Sequence, residues 1–248
     1  MRKCSEPVVK SKSSKGGSYV KVKWRPDMSL FGITEISDDM MTMFQKYCLD
    51  VATITKIPIK LNGSKITVKT LMDYVKMYPE IEEVAMISKT EDLEVVLTNS
   101  SGHGYQEIVF TNGIYNRDGG VYVDFIVTEI LKAVKTGLSQ KKQTCPLSNR
   151  ELREYFQVFV NARLKNPEFN NQSKDRVMKP TIKKFEVDSK CVNQIMKWKW
   201  REQLRQLVEK KEMNIMKKSE KKKVRIDGYD PANLAGTKHS QKCTLILC

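Results

Sequence analysis

Few groups in this sequence could do bond-making chemistry. Two histidines are present, His103 and His239, and neither has a carboxylate or cysteine beside it in sequence. Hydrolases of the Ser-His type need an imidazole to carry a proton from nucleophile to leaving group, so that class has little support. His103, in Ser101-Gly102-His103-Gly104, reads as a flexible hairpin turn. Six cysteines, at 4, 48, 145, 191, 243 and 248, form no CxxC pair and no histidine cluster. Their spacing suits neither a zinc site nor a compact disulfide framework, and free thiols in a reducing compartment are expected. Asp118-Gly119-Gly120 stands before a helical pattern and could turn free amides toward a phosphate. It lacks a Walker lysine or a GxGxxG frame, so a plain turn outweighs that reading. Residues 166–174 make a polar excursion after an apolar run, a surface loop by composition, with a lysine able to meet a phosphate as a point charge. Trp198-Lys199-Trp200-Arg201 sets aromatic rings beside cations, as single-strand binders do. Residues two apart on a helix face different ways, so at least one tryptophan is expected in the core.

Charge narrows the function classes further. The 248 residues are 40% hydrophobic, 29% charged and 8% aromatic, a globular make-up, and carry a net charge of +15. Residues 1–25 hold eight basic residues against one acid, and residues 197–225 hold twelve against four. The span between has 22 of each sign. The excess therefore sits in two segments flanking a neutral body, a pattern suited to a polyanion whose counterions are released on binding. Solvated, frayed ends are the alternative. No apolar run approaches the roughly 20 residues of a membrane span, and the N-terminus has no apolar stretch of the kind a signal peptide carries. Secreted, membrane and zinc-module readings are set aside.

The elements that must position these groups follow from periodicity. A strand is expected over 19–24, then a helix capped by Ser37 with Met40, Met41, Phe44, Tyr47, Cys48 and Val51 inward. A hairpin turns on Asn62-Gly63 between 57–61 and 65–68. A short helix covers 70–78, and strands cover 84–88, 93–98 and 105–111. Gly119-Gly120 opens a helix to about Val134. A short helix falls within 147–154, and an apolar strand over 155–164. Asp188 caps one long helix through about Met216, with Val192, Ile195, Leu204, Leu207 and Val208 as its stripe. The last six residues read as a buried strand with nothing after it to cover it, which suggests a chain cut from a larger protein. The mixture is α+β.

In order and spacing these segments resemble the eukaryotic-type (type IIA) ATP-dependent DNA topoisomerases, over the transducer domain and the start of the cleavage core. Trp24-Arg25-Pro26-Asp27 through Phe31-Gly32 is similar to the family's FxPDLxxF stretch, and Asp50-Val51-Ala52 to its YDIAG helix. Residues 68–78 resemble VKxFxDYVxxY. Phe110-Thr111-Asn112-Gly113-Ile114 with Gly119-Gly120-Val121-Tyr122-Val123-Asp124 resembles FVNxIxTxKGGxHVDY. Phe159-Val160-Asn161 and Asn166-Pro167-Glu168-Phe169 resemble FVNxLIxNPxFDSQTK, and residues 242–247 the strand leading to the TOPRIM metal site.

The resemblance implies a mixed β-sheet backed by helices, followed by a long basic helix and the first strand of a TOPRIM-type domain. Its expected layout is a linker over 1–18, transducer over 19–187, connecting helix over 188–227, and loop with first TOPRIM strand over 228–248. Gln172-Ser173-Lys174 would occupy the QTK loop, whose lysine reaches the γ-phosphate of ATP held in a neighbouring ATPase domain. Residues 135–142 fall where the family directs a lysine-rich loop at DNA, giving Lys135, Lys141 and Lys142 as candidate contacts. Lys217, Lys218, Lys221 and Lys222 on the basic helix are further candidates for DNA. Asp118 and Tyr122 depart from the family's basic residue and histidine. No catalytic or metal residue is expected within the chain. ATP and Mg2+ would serve the complete enzyme, none being held by this portion alone. Expected partners are duplex DNA, a second copy of the same chain, and ATPase and cleavage-core domains of the same protein, with no membrane. The location would be intracellular, nuclear for a cellular enzyme and host-cytoplasmic for one from a large DNA virus. A stand-alone basic nucleic-acid-binding module and a non-catalytic scaffold are the alternatives.

Overall fold

The computed structural model describes residues 20–100, 102–140, 145, 147–220, 232–234 and 238–244. The chain divides into two compact units between Tyr47 and Cys48, a point inside helix α1 (Asp38–Thr55). In the first unit, Asp27 accepts from the Ser29 amide (3.2 Å) and caps a 3-10 turn over Met28–Phe31, and the Ser37 hydroxyl accepts from the Met40 amide at 3.3 Å to start α1. The strand expected over 19–24 is not formed in its described part. Among the described residues no strand neighbours 20–27 to take their ladder bonds, and Val20, Val22 and Trp24 are exposed.

The second unit begins with the C-terminal half of α1. Its buried residues are Asp50, Ala52, Thr53 and Ile54, whereas Tyr47 and Val51, expected inside, are exposed. Hydrophobic periodicity misassigned this face because two inward residues are polar. The Asp50 carboxylate accepts from the Tyr74 hydroxyl at 2.8 Å, and Thr53 returns its hydroxyl to the Leu49 carbonyl. Strands β1 (Lys60–Leu61) and β2 (Ser64–Lys65) form the expected hairpin, with Asn62 and Gly63 both at positive φ. Helix α2 (Leu71–Val75) starts in a reciprocal cap between Thr70 and Asp73.

The main sheet has five strands: β3 (Val84–Lys89), β4 (Leu93–Asn99), β5 (Gln106–Thr111), β6 (Ile114–Asn116) and β7 (Phe156–Ala162), in the order β3-β4-β7-β5-β6. Only β5 and β7 run parallel among these pairs, joined by a crossover through α3 (Val121–Gln140) and α4 (Asn149–Arg153). Both faces are covered. Val95, Leu97, Val109, Val158 and Val160 lie in one core with Ile126, Ile130 and Val134 of α3, whereas Val96, Ile108, Phe110 and Phe159 lie in another with Ile54, Leu71, Tyr74 and Val75. Sheet neighbours thus alternate between two cores, which is why these strands read as near-continuous apolar runs. The α+β class with a mixed sheet is as expected.

The stretch 166–174, expected to be a surface loop, contains a short strand, β8 (Glu168–Phe169), which pairs with β9 (Val177–Lys179). The single long helix is in fact α5 (Ser189–Ile195) and α6 (Trp200–Glu220). At the break the Trp200 indole donates to the Ile195 carbonyl at 3.0 Å and Arg201 to the Met196 carbonyl at 2.6 Å. A continuous helix would send Trp198 and Trp200 different ways; the break lets both pack on Phe156, 6.2 and 5.3 Å between ring centres. Of the C-terminal strand, Cys243 and Thr244 are in no strand and 245–248 lie outside the described residues.

Candidate functional site

The turn between β8 and β9 is built from its own amides. The Asn170 amide donates to the Arg176 carbonyl (3.1 Å), and the Arg176 amide returns to Asn170 Oδ1 (3.0 Å). Inside that frame, Asn171 Oδ1 accepts from the Asp175 amide (3.1 Å), and its carbonyl accepts from the Lys174 amide (3.1 Å). Gln172 and Ser173 are left exposed at the tip. Lys174 takes φ +60°, a conformation a residue with a side chain adopts only when its surroundings hold it. Its ammonium lies 5.5 Å from the centre of the Phe169 ring, a cation–π distance, and its carbonyl accepts from Asn116 Nδ2 at 2.7 Å.

The turn is clasped to the start of α3. The Asp118 amide donates to the Asp175 carbonyl (2.9 Å), and the Val177 amide to the Gly119 carbonyl (3.0 Å). Arg176 places one guanidinium nitrogen on the Asp118 carbonyl (2.6 Å) and the other on the Asp124 carboxylate. Arg117 lies 3.5 Å from Asp175 and 3.4 Å from Asp118. Asp118, in the place of a basic residue, thus enters the clasp through its carbonyl and its pairing with Arg117.

The two glycines are explained by close approach. Gly119 has φ +65°, and a Cβ there would meet Glu107 Oε1 at 2.0 Å; a Cβ on Gly120 would meet Val177 Cβ at 2.9 Å. The Glu107 carboxylate already fills the space beside Gly119 that the phosphate reading would assign to a ligand. Burial pushes the Glu107 carboxyl up, partly offset by the Tyr105 hydroxyl, which donates to it at 2.8 Å. Tyr122 is fully buried, shares a 2.9 Å hydrogen bond with Thr111, and is pushed up to about 12 by burial.

Gln172, Ser173 and Lys174 therefore share one turn, while the other candidate residues lie elsewhere. Lys135 is half-buried on α3, 14 residues and about 21 Å along the axis from the clasped end. Lys217 and Lys218 are on the helical backbone of α6; Lys141, Lys142, Lys221 and Lys222 lie outside the described residues. His103 has a partner after all, Glu80 Oε2 at 2.6 Å, brought to it by the fold from 23 positions earlier. Cys48, Cys145, Cys191 and Cys243 are free thiols. Sequence reasoning missed Asn116, Asp124 and Arg176. The paired glycines at 119 and 120 were the available signal, since they mark a place where another strand of chain comes close.

The family model for DNA gyrase B matches residues 53–226, more than half of the chain. Similar curated proteins include "DNA topoisomerase 2" of Invertebrate iridescent virus 6, 31% identical over 265 residues, covering 100% of this chain and 23% of that protein. Another is "DNA topoisomerase 2" of Arabidopsis thaliana, 31% identical, with 100% of this chain and 18% of that one covered. The chain spans roughly a fifth of the length of these relatives. Its fold is shared with the ATPase region of Saccharomyces cerevisiae topoisomerase II (TM-score 0.66, 22% identity, 74% of this chain and 48% of that one). It is shared too with the ATPase and transducer domains of topoisomerase II from Balamuthia mandrillaris (TM-score 0.67, 21% identity, 76% and 50%).

Proposed function

The chain belongs to the DNA gyrase B family, and from that premise we propose that it is the transducer portion of an ATP-dependent type II DNA topoisomerase. In this reading the chain couples ATP binding and hydrolysis in an adjoining ATPase domain to gate closure and the passage of one duplex through another. The complete protein acts as a homodimer on duplex DNA, and a cleavage core joins beyond the connecting helix.

The observation that carries this reading is the clasped turn with Lys174 at its end. The side chains it offers outward, the Lys174 ammonium, the Gln172 amide and the Ser173 hydroxyl, can all donate to oxygen, which suits a terminal phosphate. A compact ammonium on a flexible stem can leave the Phe169 ring, meet a γ-phosphate, and lose that partner when the phosphate departs. Bound ATP would supply the anionic oxygens and the bond to be broken. The chain supplies a positioned charge and a rigid route from that charge into α3, because the clasp joins the turn to the helix start. Among the described residues no group of three His, Cys, Asp or Glu could hold a metal ion.

The test is paired: ATP turnover and strand passage against nucleotide-free DNA cleavage, in the complete protein with and without Lys174→Ala. Loss of one charge from a developing phosphoryl transition state typically costs about 2–4 kcal/mol, a fall in turnover of roughly 10²–10³. Cleavage without nucleotide should be nearly untouched. Undiminished ATP-driven strand passage by the variant would sink the assignment of this turn.

A further inference from the structure

Asn116 ends β6 and is wholly buried. Its main chain is fixed in the sheet, opposite Val109, and its carbonyl takes the Gly119 amide at 3.2 Å. From this rigid edge its side chain reaches 58 residues along the sequence to donate from Nδ2 to the Lys174 carbonyl at 2.7 Å. Its Oδ1 has no hydrogen-bond partner among the described residues. The orientation is dictated by Lys174: turning the amide over would set Oδ1 against that carbonyl oxygen, acceptor facing acceptor. A buried amide that leaves its acceptor unmet while holding one main-chain carbonyl indicates that the carbonyl's position matters.

Lys174 is the residue of this turn with left-handed backbone, at φ +60°. The two peptide planes that flank its Cα, one tied through the Lys174 amide to the Asn171 carbonyl and one through the Lys174 carbonyl to Asn116, together set the direction of its Cα–Cβ bond. The peptide that joins Lys174 to Asp175 is held at both ends: Asn171 Oδ1 accepts from its N–H at 3.1 Å from within the turn, and Asn116 donates to its carbonyl at 2.7 Å from outside the turn, on the rigid sheet.

We propose that Asn116 is the positioning residue for Lys174: a buried donor on the sheet edge that locks the lysine's peptide and thereby aims its ammonium. This rests on the reading of Lys174 as a phosphate contact and names the residue through which the sheet controls it. The proposal has two independent tests.

The first uses the 248-residue chain and measures amide hydrogen exchange over 170–176 in wild type, Asn116→Ala and Asn116→Asp. The aspartate keeps the shape and removes the donor. Both variants should speed exchange of the turn amides by roughly tenfold, the effect of losing one hydrogen bond, with α3 and β7 amides unchanged. Unchanged turn exchange in either variant overturns the proposal, and so does equal acceleration of the core. The second uses the complete ATP-hydrolysing protein and a double-mutant cycle. Asn116→Ala should lower kcat for ATP roughly tenfold with KM little changed, and should add nothing in a Lys174→Ala background. A further fall in the double variant assigns Asn116 a general structural role and overturns the proposal. If Lys174→Ala itself leaves turnover intact, the reading of Lys174 fails, while the exchange experiment still decides whether Asn116 holds the turn.

Discussion

Two regions of this molecule present their cations in opposite ways. Around Lys174 a single ammonium is held on a turn tied to the segment that leads into α3, with Asn116, Asp118 and Arg176 linking the two parts of the chain. From Lys197 onward the basic residues come by number. Several in the described part are already engaged within the fold: Lys199 with Glu82, Arg201 with the Met196 carbonyl, Arg205 with Glu202 one turn away. A fixed cation can distinguish one phosphate from the space beside it. A distributed set on a helix neutralises a polyanion in aggregate, and only the face turned toward it counts. The lesson is that local net charge measures the second kind of site and is blind to the first, since residues 26–196, which contain Lys174, are electrically neutral overall.

Salt should separate the two regions most sharply. With some five effective phosphate contacts, duplex binding through the basic tract should follow a log–log salt slope of roughly −4 to −5, a several-hundred-fold loss between about 50 and 200 mM. Charge reversal at Lys217, Lys218, Lys221 and Lys222 should flatten that slope, whereas Lys174→Ala should leave it alone. Anisotropy titrations of a labelled duplex at stepped salt provide the measurement. Salt-independent affinity in the unmodified chain would show that the tract is a solvated face.

Stability should divide the regions next. Gly119→Ala forces a side chain into left-handed backbone and against Glu107, 2.0 Å away. Together these should cost about 2 kcal/mol or more. Lys210→Ala, an exposed position on α6, should stay within about 0.5 kcal/mol. Urea midpoints on the same chain decide it. A Gly119→Ala protein as stable as the parent would mean the clasp is loose enough to move aside, and the contrast between fixed and distributed cations would weaken.

The sequence made some of this visible and not the rest, for identifiable reasons. The strands at 84–89, 93–99, 106–111 and 156–162 and helix α3 were legible because long apolar runs leave few alternatives. The buried face of α1 was not, because Asp50 is inward only by virtue of Tyr74, 24 positions on. The α5–α6 break depends on where two tryptophans find Phe156, which no local propensity encodes. Lys174 could be picked out only by resemblance, since as composition it is one lysine in a polar loop. Its clasp was invisible altogether: Asn116 and Arg176 each act over a separation of 52 or 58 residues, and the glycine pair that permits the approach also fits an ordinary turn.

The smallest expected effect is also the most diagnostic, because it concerns a proton rather than a fixed charge. Glu107 lies beside Gly119 at the base of the clasp. Its carboxyl is pushed up chiefly by burial and further by the Asp124 carboxylate, and pulled back by the Tyr105 hydroxyl, Arg176 and Arg153. The folded chain therefore holds this proton more tightly than the unfolded chain does. Below the ordinary carboxylate value of 4.5 both states are protonated and the stabilising contribution is complete. As pH rises past that value the unfolded chain releases its proton first, stability falls, and the loss is complete once the folded-state pKa is passed. Asp73 works in the opposite direction, since the Thr70 hydroxyl holds it below its ordinary value. The readout must accordingly be the difference between wild type and Glu107→Gln in urea midpoints from about pH 4 to 8. That difference should shift steadily in favour of the glutamine protein as pH rises. A pH-independent difference would mean that Glu107 holds its proton no more tightly in the fold than in the unfolded chain, and the space beside Gly119 would then be wetter and the clasp more open than its distances indicate.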